Sequence, residues 1–182
     1  GCEPDAKTVS VFGSDFVLDE NSDIKRLLKR YGYKVLELPG CKTWQELLDM
    51  SRGCLFIDCY PAGKYGMEAQ AGRLGRKSLY LPGSFDYDEI RKQLKQLTDA
   101  LGLPELTKDE LAHERATCEE KLTEARNLIQ ETPIVLDYLY HPRPLGLAKL
   151  LLTHGFRVKA VYLDSISPEE KEEFFWLKEH AP

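Results

Sequence analysis

The sequence predicts an α/β protein made of Rossmann-like parallel sheet units, with helices on both faces, connected by a long helix. Three observations predict it. Short apolar, β-branched runs alternate with helix-period patterns four times between Thr8 and Gly102. The connections between them are short, as crossover units require. A long charged helical pattern then intervenes, and the strand–helix alternation resumes after it.

The elements follow in order. TVSVF (8–12) is a β-branched run that ends at Gly13, so it reads as a strand. After the loop GSDFVLDENSD, Asn21 or Ser22 is placed to cap a helix with Ile24, Leu27, Leu28 and Tyr31 on one face, and Gly32 stops it. YKVLELPG is the second strand, closed by Pro39-Gly40. Thr43 caps a short helix with Trp44, Leu47 and Leu48 on one side. CLFID (54–58) is the third strand, and the helix after it runs to about Leu74, where Gly75 stops it. KSLYLPG is the fourth strand, and DYDEIRKQLKQLTDALG carries Tyr87, Ile90, Leu94, Leu97 and Leu101 at helical spacing.

Leu103-Pro104 breaks this pattern, which sets the domains at residues 1–104 and 105–182. Thr107 caps the long helix TKDELAHERATCEEKLTEARNLIQ. Leu111, Cys118, Leu122, Ala125 and Ile129 form its stripe, which calls for a packing partner along its length. PIVLDY, RPLGLAKLLLTHG, FRVKAVYLD and SPEEKEEFFWLKEH then read strand, helix, strand, helix. Ser167 is placed as the last cap, Pro168 at the first helical position, and Glu169-Glu170 at the positive end of the dipole. Two parallel strands do not make a stable sheet alone. The chain also stops at HAP, where a further strand is due, so the second unit is expected to be incomplete and the chain a fragment.

Composition narrows the function classes. The 182 residues carry a net charge of −5, with basic residues scattered rather than clustered, which gives no nucleic-acid footprint. No apolar run reaches the roughly 18–20 residues of a membrane span, and no charged-then-apolar leader opens the chain. The cysteines, Cys2, Cys41, Cys54, Cys59 and Cys118, are odd in number and lack a CxxC pair, so they do not form a disulfide framework. A reducing, cytoplasmic setting is expected. His113, His141, His154 and His180 have no partner at i, i+4, the helical spacing of a zinc site.

Parallel sheets bind ligands beyond the carboxyl ends of their strands. The loops GSDFVLDEN, DCYPAGKYG and PGSFD should share that rim. Asp58, at the end of the third strand, stands where a receiver domain is phosphorylated. That chemistry needs an acidic pair after the first strand and a lysine after the fifth. The first loop offers Asp15 but no adjacent acidic pair at the strand end, and PIVLDYLYH brings no lysine. Asp58 therefore reads as a helix-side cap or a solvent-facing turn residue. The first loop lacks GxGxxG and GxxxxGK[ST], and the glycines of AQAGRLGRK lie at the wrong end of a helix for an anion. The aromatic residues Phe16, Tyr60, Tyr65, Phe85, Tyr87, Tyr138 and Tyr140 either cap the sheet ends or line a pocket. Cys59, at a strand's carboxyl end and before a helix, has a thiolate that the helix dipole would favour. It reads as a metal ligand, a nucleophile or a buried inert thiol.

VSVFGSDFVLDENSDIKRLLKRYGYKVLELPG, followed by the Cys-Tyr step of DCYPAGKYGMEAQAGRLGRKSLYLPGSFDYDEIRKQLKQL, resembles the middle domain of nitrogenase component 1 proteins. That family includes the nitrogenase molybdenum-iron chains, their cofactor-assembly scaffolds and the light-independent protochlorophyllide reductase subunits. The charged helix with HERA, then PIVLDY and HGFRVKAV, is similar to the start of the family's third domain. The likeness runs from about Lys7 to Leu163. It implies that Cys59 ligates an iron at one end of a metal cluster, with Tyr60 beside it at the cofactor-binding site, since soft sulfur suits iron–sulfur chemistry. It also implies an oxidoreductase that binds an iron–sulfur type cluster or reducible substrate at the rim, pairs with a homologous sister subunit and is reduced by an ATP-dependent iron–sulfur protein. The family's remaining ligands, relay cysteines and a histidine, belong to regions outside this chain, so the isolated fragment is expected to hold no cofactor and to be inactive. The residues after Cys-Tyr, PAGKYG, depart from the family's more polar-aromatic helix start. The alternative is a non-catalytic cofactor scaffold or ligand-binding α/β module with Cys59 structural.

Overall fold

The computed structural model describes residues 3–13 and 16–180. It is an α/β structure that divides into two compact units. One comprises residues 1–83 and 93–105, and the other 84–92 and 106–182.

The first unit is built on four parallel strands: β1 (Asp5–Phe12), β2 (Lys34–Glu37), β3 (Gly53–Asp58) and β4 (Lys77–Tyr80), in the order β2-β1-β3-β4. Val9 is the register point of the central strands, opposite Val35 on one side and Leu55 on the other. The chain moves one way from β1 to β2 and the other way from β2 through β3 to β4. Right-handed crossovers therefore put helix α1 (Asp23–Arg30) on one face, and α2 (Trp44–Asp49) and α3 (Lys64–Leu74) on the other. Because both faces are covered, β3 is a continuous apolar run rather than an alternating one. Leu55, Phe56 and Ile57 are all buried, with Val9 and Val11 beside them. Leu27 and Leu28 of α1 and Met67 and Ala71 of α3 are buried too, and the Phe12 and Phe56 rings meet at 4.9 Å.

Helix boundaries obey local chemistry. Ser22 caps α1 by accepting from the Lys25 N–H. Thr43 and Glu46 form a reciprocal capping box on α2, although Trp44, Leu47 and Leu48 stay exposed. Gly75 ends α3 in the left-handed region at φ 63°. Helix α4 (Tyr87–Leu101) buries Leu94, Leu97 and Thr98, and Lys77 Nζ reaches the Ala100 carbonyl at 3.2 Å.

The second unit carries α5 (Lys108–Ile129), β5 (Ile134–Asp137), α6 (Pro144–Thr153), β6 (Val158–Tyr162) and α7 (Lys171–His180). Strands β5 and β6 pair in parallel, Leu136 opposite Val161. The expected stripe of α5 is corrected in part. Leu111, Leu122 and Ile129 are half-buried, but Cys118 and Ala125 are exposed. Polar residues take their place. Glu119 bonds His154 Nε2 at 2.9 Å, and Arg126 bonds the Gly155 carbonyl. A second correction concerns the last helix. Ser167 makes no capping bond. A 3-10 turn (Pro168–Glu170) precedes α7, and Glu170 turns away from its own helix to accept from Leu145 N–H (2.8 Å) and Gly146 N–H (2.9 Å) at the start of α6. Arg143, also buried, lies beside it and pairs with Glu89 at 3.2 Å and Glu173 at 3.6 Å. Among the described residues, no helix is long and apolar enough to cross a membrane.

Candidate functional site

The site is the carboxyl rim of the first sheet. Strand β3 ends at Asp58, which is fully buried. Its Oδ1 accepts the Tyr60 N–H at 2.7 Å, an Asx turn that bends the chain directly after the strand. Cys59 is the residue inside that turn. It is half-buried, and Tyr60 is exposed. A 3-10 turn (Pro61–Gly63) follows, and α3 begins only at Lys64.

That spacing overturns the dipole expectation for Cys59. The thiol does not stand at the first turn of α3. Burial, then the carboxylates of Asp58 and Glu37, push it up to about 12, so the thiol and not the thiolate is the resting form. The solvent-facing reading of Asp58 is also corrected. Asp58 is a turn residue, but an enclosed one, and burial raises its carboxyl above the usual range. A fully enclosed carboxylate does not suit phosphoryl acceptance, which matches the rejection of a receiver. Asp15, weighed for that reading, lies outside the described residues, as does Cys2.

Next to the turn stands a charged assembly that periodicity did not reveal. Lys25 is buried, with Nζ 2.6 Å from Glu37 Oε2, 2.9 Å from Glu20 and 2.8 Å from the Leu18 carbonyl. Glu37 also accepts the Leu18 N–H. Burial alone would lower the Lys25 ammonium, but Glu37 and Glu20 outweigh it and raise it. Glu20 is held down to about 2 by Lys29 and then Lys25. The end of β2, the start of α1 and the loop after β1 are thereby fastened together. The available signal was position. Lys25 falls three residues before Leu28, on the buried side of α1.

Three of the seven aromatics stand out in solvent rather than covering the sheet ends. Phe16, Tyr65 and Tyr140 are about four-fifths exposed. Phe85 and Tyr87 belong to the second unit, where Phe85 meets the His141 ring at 4.9 Å. Cys54 and Cys41 have thiols raised by burial, and each contacts a backbone carbonyl, of Ala6 and Glu37 respectively, at 3.6 Å.

The donor chemistry bounds what the rim holds. Among the described residues, no three His, Cys, Asp or Glu side chains are grouped to hold a metal. One soft sulfur, Cys59, fits a single corner of a cluster and not a complete site.

The first unit is a parallel α/β unit with a cysteine–tyrosine step directly after its third strand, which sets the class of the chain as α/β with a parallel sheet. The chain belongs to the nitrogenase component 1 type oxidoreductase family, whose model matches residues 2–181. No curated protein matches it.

Proposed function

We propose that this chain is part of a component 1-like oxidoreductase that binds an iron–sulfur type cluster, or a reducible substrate, at the rim beside Cys59. In this reading Cys59 supplies one ligand and Tyr60 lines the same surface. Electrons come from an ATP-dependent iron–sulfur reductase, and a homologous sister subunit completes the assembly. The family membership supports it. The observation that carries it is the placement of Cys59 in a tight turn at the carboxyl end of β3, next to an exposed tyrosine. The cluster would supply the electron-transfer chemistry. The protein's part is to hold the sulfur, to release its proton on ligation, and to fix the wall built by Lys25 and Glu37. Since the thiol rests protonated, ligation is coupled to proton loss and strengthens as pH rises.

The test is iron and sulfide analysis of the gene's full product, purified anaerobically, against Cys59→Ala. The variant is expected to lose iron. Unchanged iron content would overturn the ligand role. A second reading has its own observation. The thiol pushed up to about 12 beside two carboxylates is what a structural cysteine looks like. On that reading the protein is a non-catalytic scaffold or ligand-binding module, and both versions carry the same metal.

A further inference from the structure

Among the described residues, Asp58 Oδ2 is buried without a hydrogen-bond partner. Such atoms are uncommon in folded proteins and call for a reason. The surroundings supply one. A Cβ on Gly13 would lie 2.1 Å from Asp58 Oδ1. A Cβ on Gly63 would lie 2.3 Å from Oδ2 and 2.4 Å from Gly13 Cα. Gly13 also has φ +78°, which side chains disfavour. The loops after β1 and β3 thus close on one carboxyl group from both sides, and only glycine leaves room for it.

That enclosure does more than fill space. The carboxyl cannot swing, so Oδ1 holds the Tyr60 amide at 2.7 Å in a fixed direction. Cys59 is the residue spanned by the bond. We propose that Asp58 is a positioning residue that sets the direction of the Cys59 side chain through the Tyr60 amide, with Gly13 and Gly63 as the two jaws that hold it. The use made of the cysteine rests on the ligand reading above. The geometry does not.

The experiment reads Cys59 directly. The native protein is treated with iodoacetamide at fixed pH, and modification of each cysteine is followed by peptide mass spectrometry, with Cys41 as the internal reference. Asp58→Ala removes the acceptor, and Gly63→Ala drives a methyl into the carboxyl. Each is expected to change the Cys59 rate by about tenfold or more, the scale of a local opening, while Cys41 stays within about threefold. Asp58→Asn keeps an acceptor oxygen and removes the charge that raises the Cys59 thiol, so it measures the charge effect alone. Asp58→Ala is expected to change the rate beyond it, and equal rates in the two variants overturn the proposal. An unchanged Cys59 rate in Asp58→Ala overturns the proposal. So does a parallel change at Cys41, which reports general loosening. If neither alanine variant folds, hydrogen exchange at the Tyr60 amide of the wild-type protein decides: protection supports the bond, and unprotected exchange overturns it. Iron retained in Cys59→Ala with this alkylation pattern intact would sink the ligand reading alone.

Discussion

Lys25 is held between two carboxylates and a carbonyl, and its burial makes its loss costly. Replacing it leaves Glu37 enclosed, bonded to the Leu18 amide but without its cation. Breaking a buried pair from one side costs about 3–5 kcal/mol. Lys25→Met is therefore expected to lower the unfolding free energy obtained from urea titration by an amount in that range. A loss under about 1 kcal/mol would assign the bridge to the surface class. His154 gives the opposite case, a half-exposed pair that pH controls. Burial alone would lower its imidazole, but the Leu150 carbonyl and then Glu119 raise it above 6.5. Glu119 is lowered below 4.5, by His154 and then Tyr87. The His154 contribution is complete below 6.5 and is lost as pH rises through the raised value. The Glu119 contribution is present above 4.5 and is lost as pH falls through its lowered value. The pair is thus fullest between those pH values, in a setting that Tyr87 and Arg115 share. His154→Gln is expected to lower Tm by a few degrees near pH 6, an effect of about 0.5–1 kcal/mol, and to match the wild type near pH 8.5. An equal drop at both pH values would remove the charge from the explanation.

At the scale of elements, the caps were readable because they are local. Ser22, Thr43 and Thr107 each bond an amide within three residues, and Gly75 needs only its own φ. Thr107 with Glu110 forms a capping box on α5, which buries no residue fully and so depends more than its neighbours on its ends. Thr107→Ala is expected to cost about 1 kcal/mol, seen as faster hydrogen exchange over the first turns of α5. Exchange there at the wild-type rate would show that the long helix is held by its sides instead. Those sides were the part the pattern did not reveal. The α5 seam runs through Glu119 and Arg126, whose partners, His154 and Gly155, are a helix and a strand away. Apolar periodicity does not register a polar side chain that is buried by bonding. The same limit hid Glu170. Its position suited the dipole of its own helix, but its carboxylate fills the start of α6 instead.

For the molecule as a whole, the parallel α/β class and the position of Cys59 at the end of the third strand follow from alternation and were available from the sequence, whereas the strand order β2-β1-β3-β4 comes from the structure. The enclosure of Asp58 was not available from the sequence either, because Gly13 and Gly63 meet it only after β1 and β3 pair. The two units, each taken by itself, also differ in how they are stabilised. The first has strands β1 and β3 inside a four-stranded sheet, with Val9, Leu55, Phe56 and Ile57 essentially without solvent contact. The second has a two-stranded sheet in which Val135 and Tyr162 are exposed, and its buried residues include the charged Arg143, Glu170 and Glu173 beside Leu136, Leu145, Ala148 and Phe156. Apolar burial contributes about 25 cal/mol per Å², whereas enclosed ion pairs return little beyond their own desolvation. The second unit is therefore expected to open first. Hydrogen exchange with mass spectrometry across a urea series should show β5 and β6 losing protection at lower urea than β1 and β3, with tryptophan signals from Trp44 and Trp176 moving at different midpoints. A single midpoint shared by peptides from both sheets would mean one cooperative transition, and the ranking of the two cores would then have no consequence for stability.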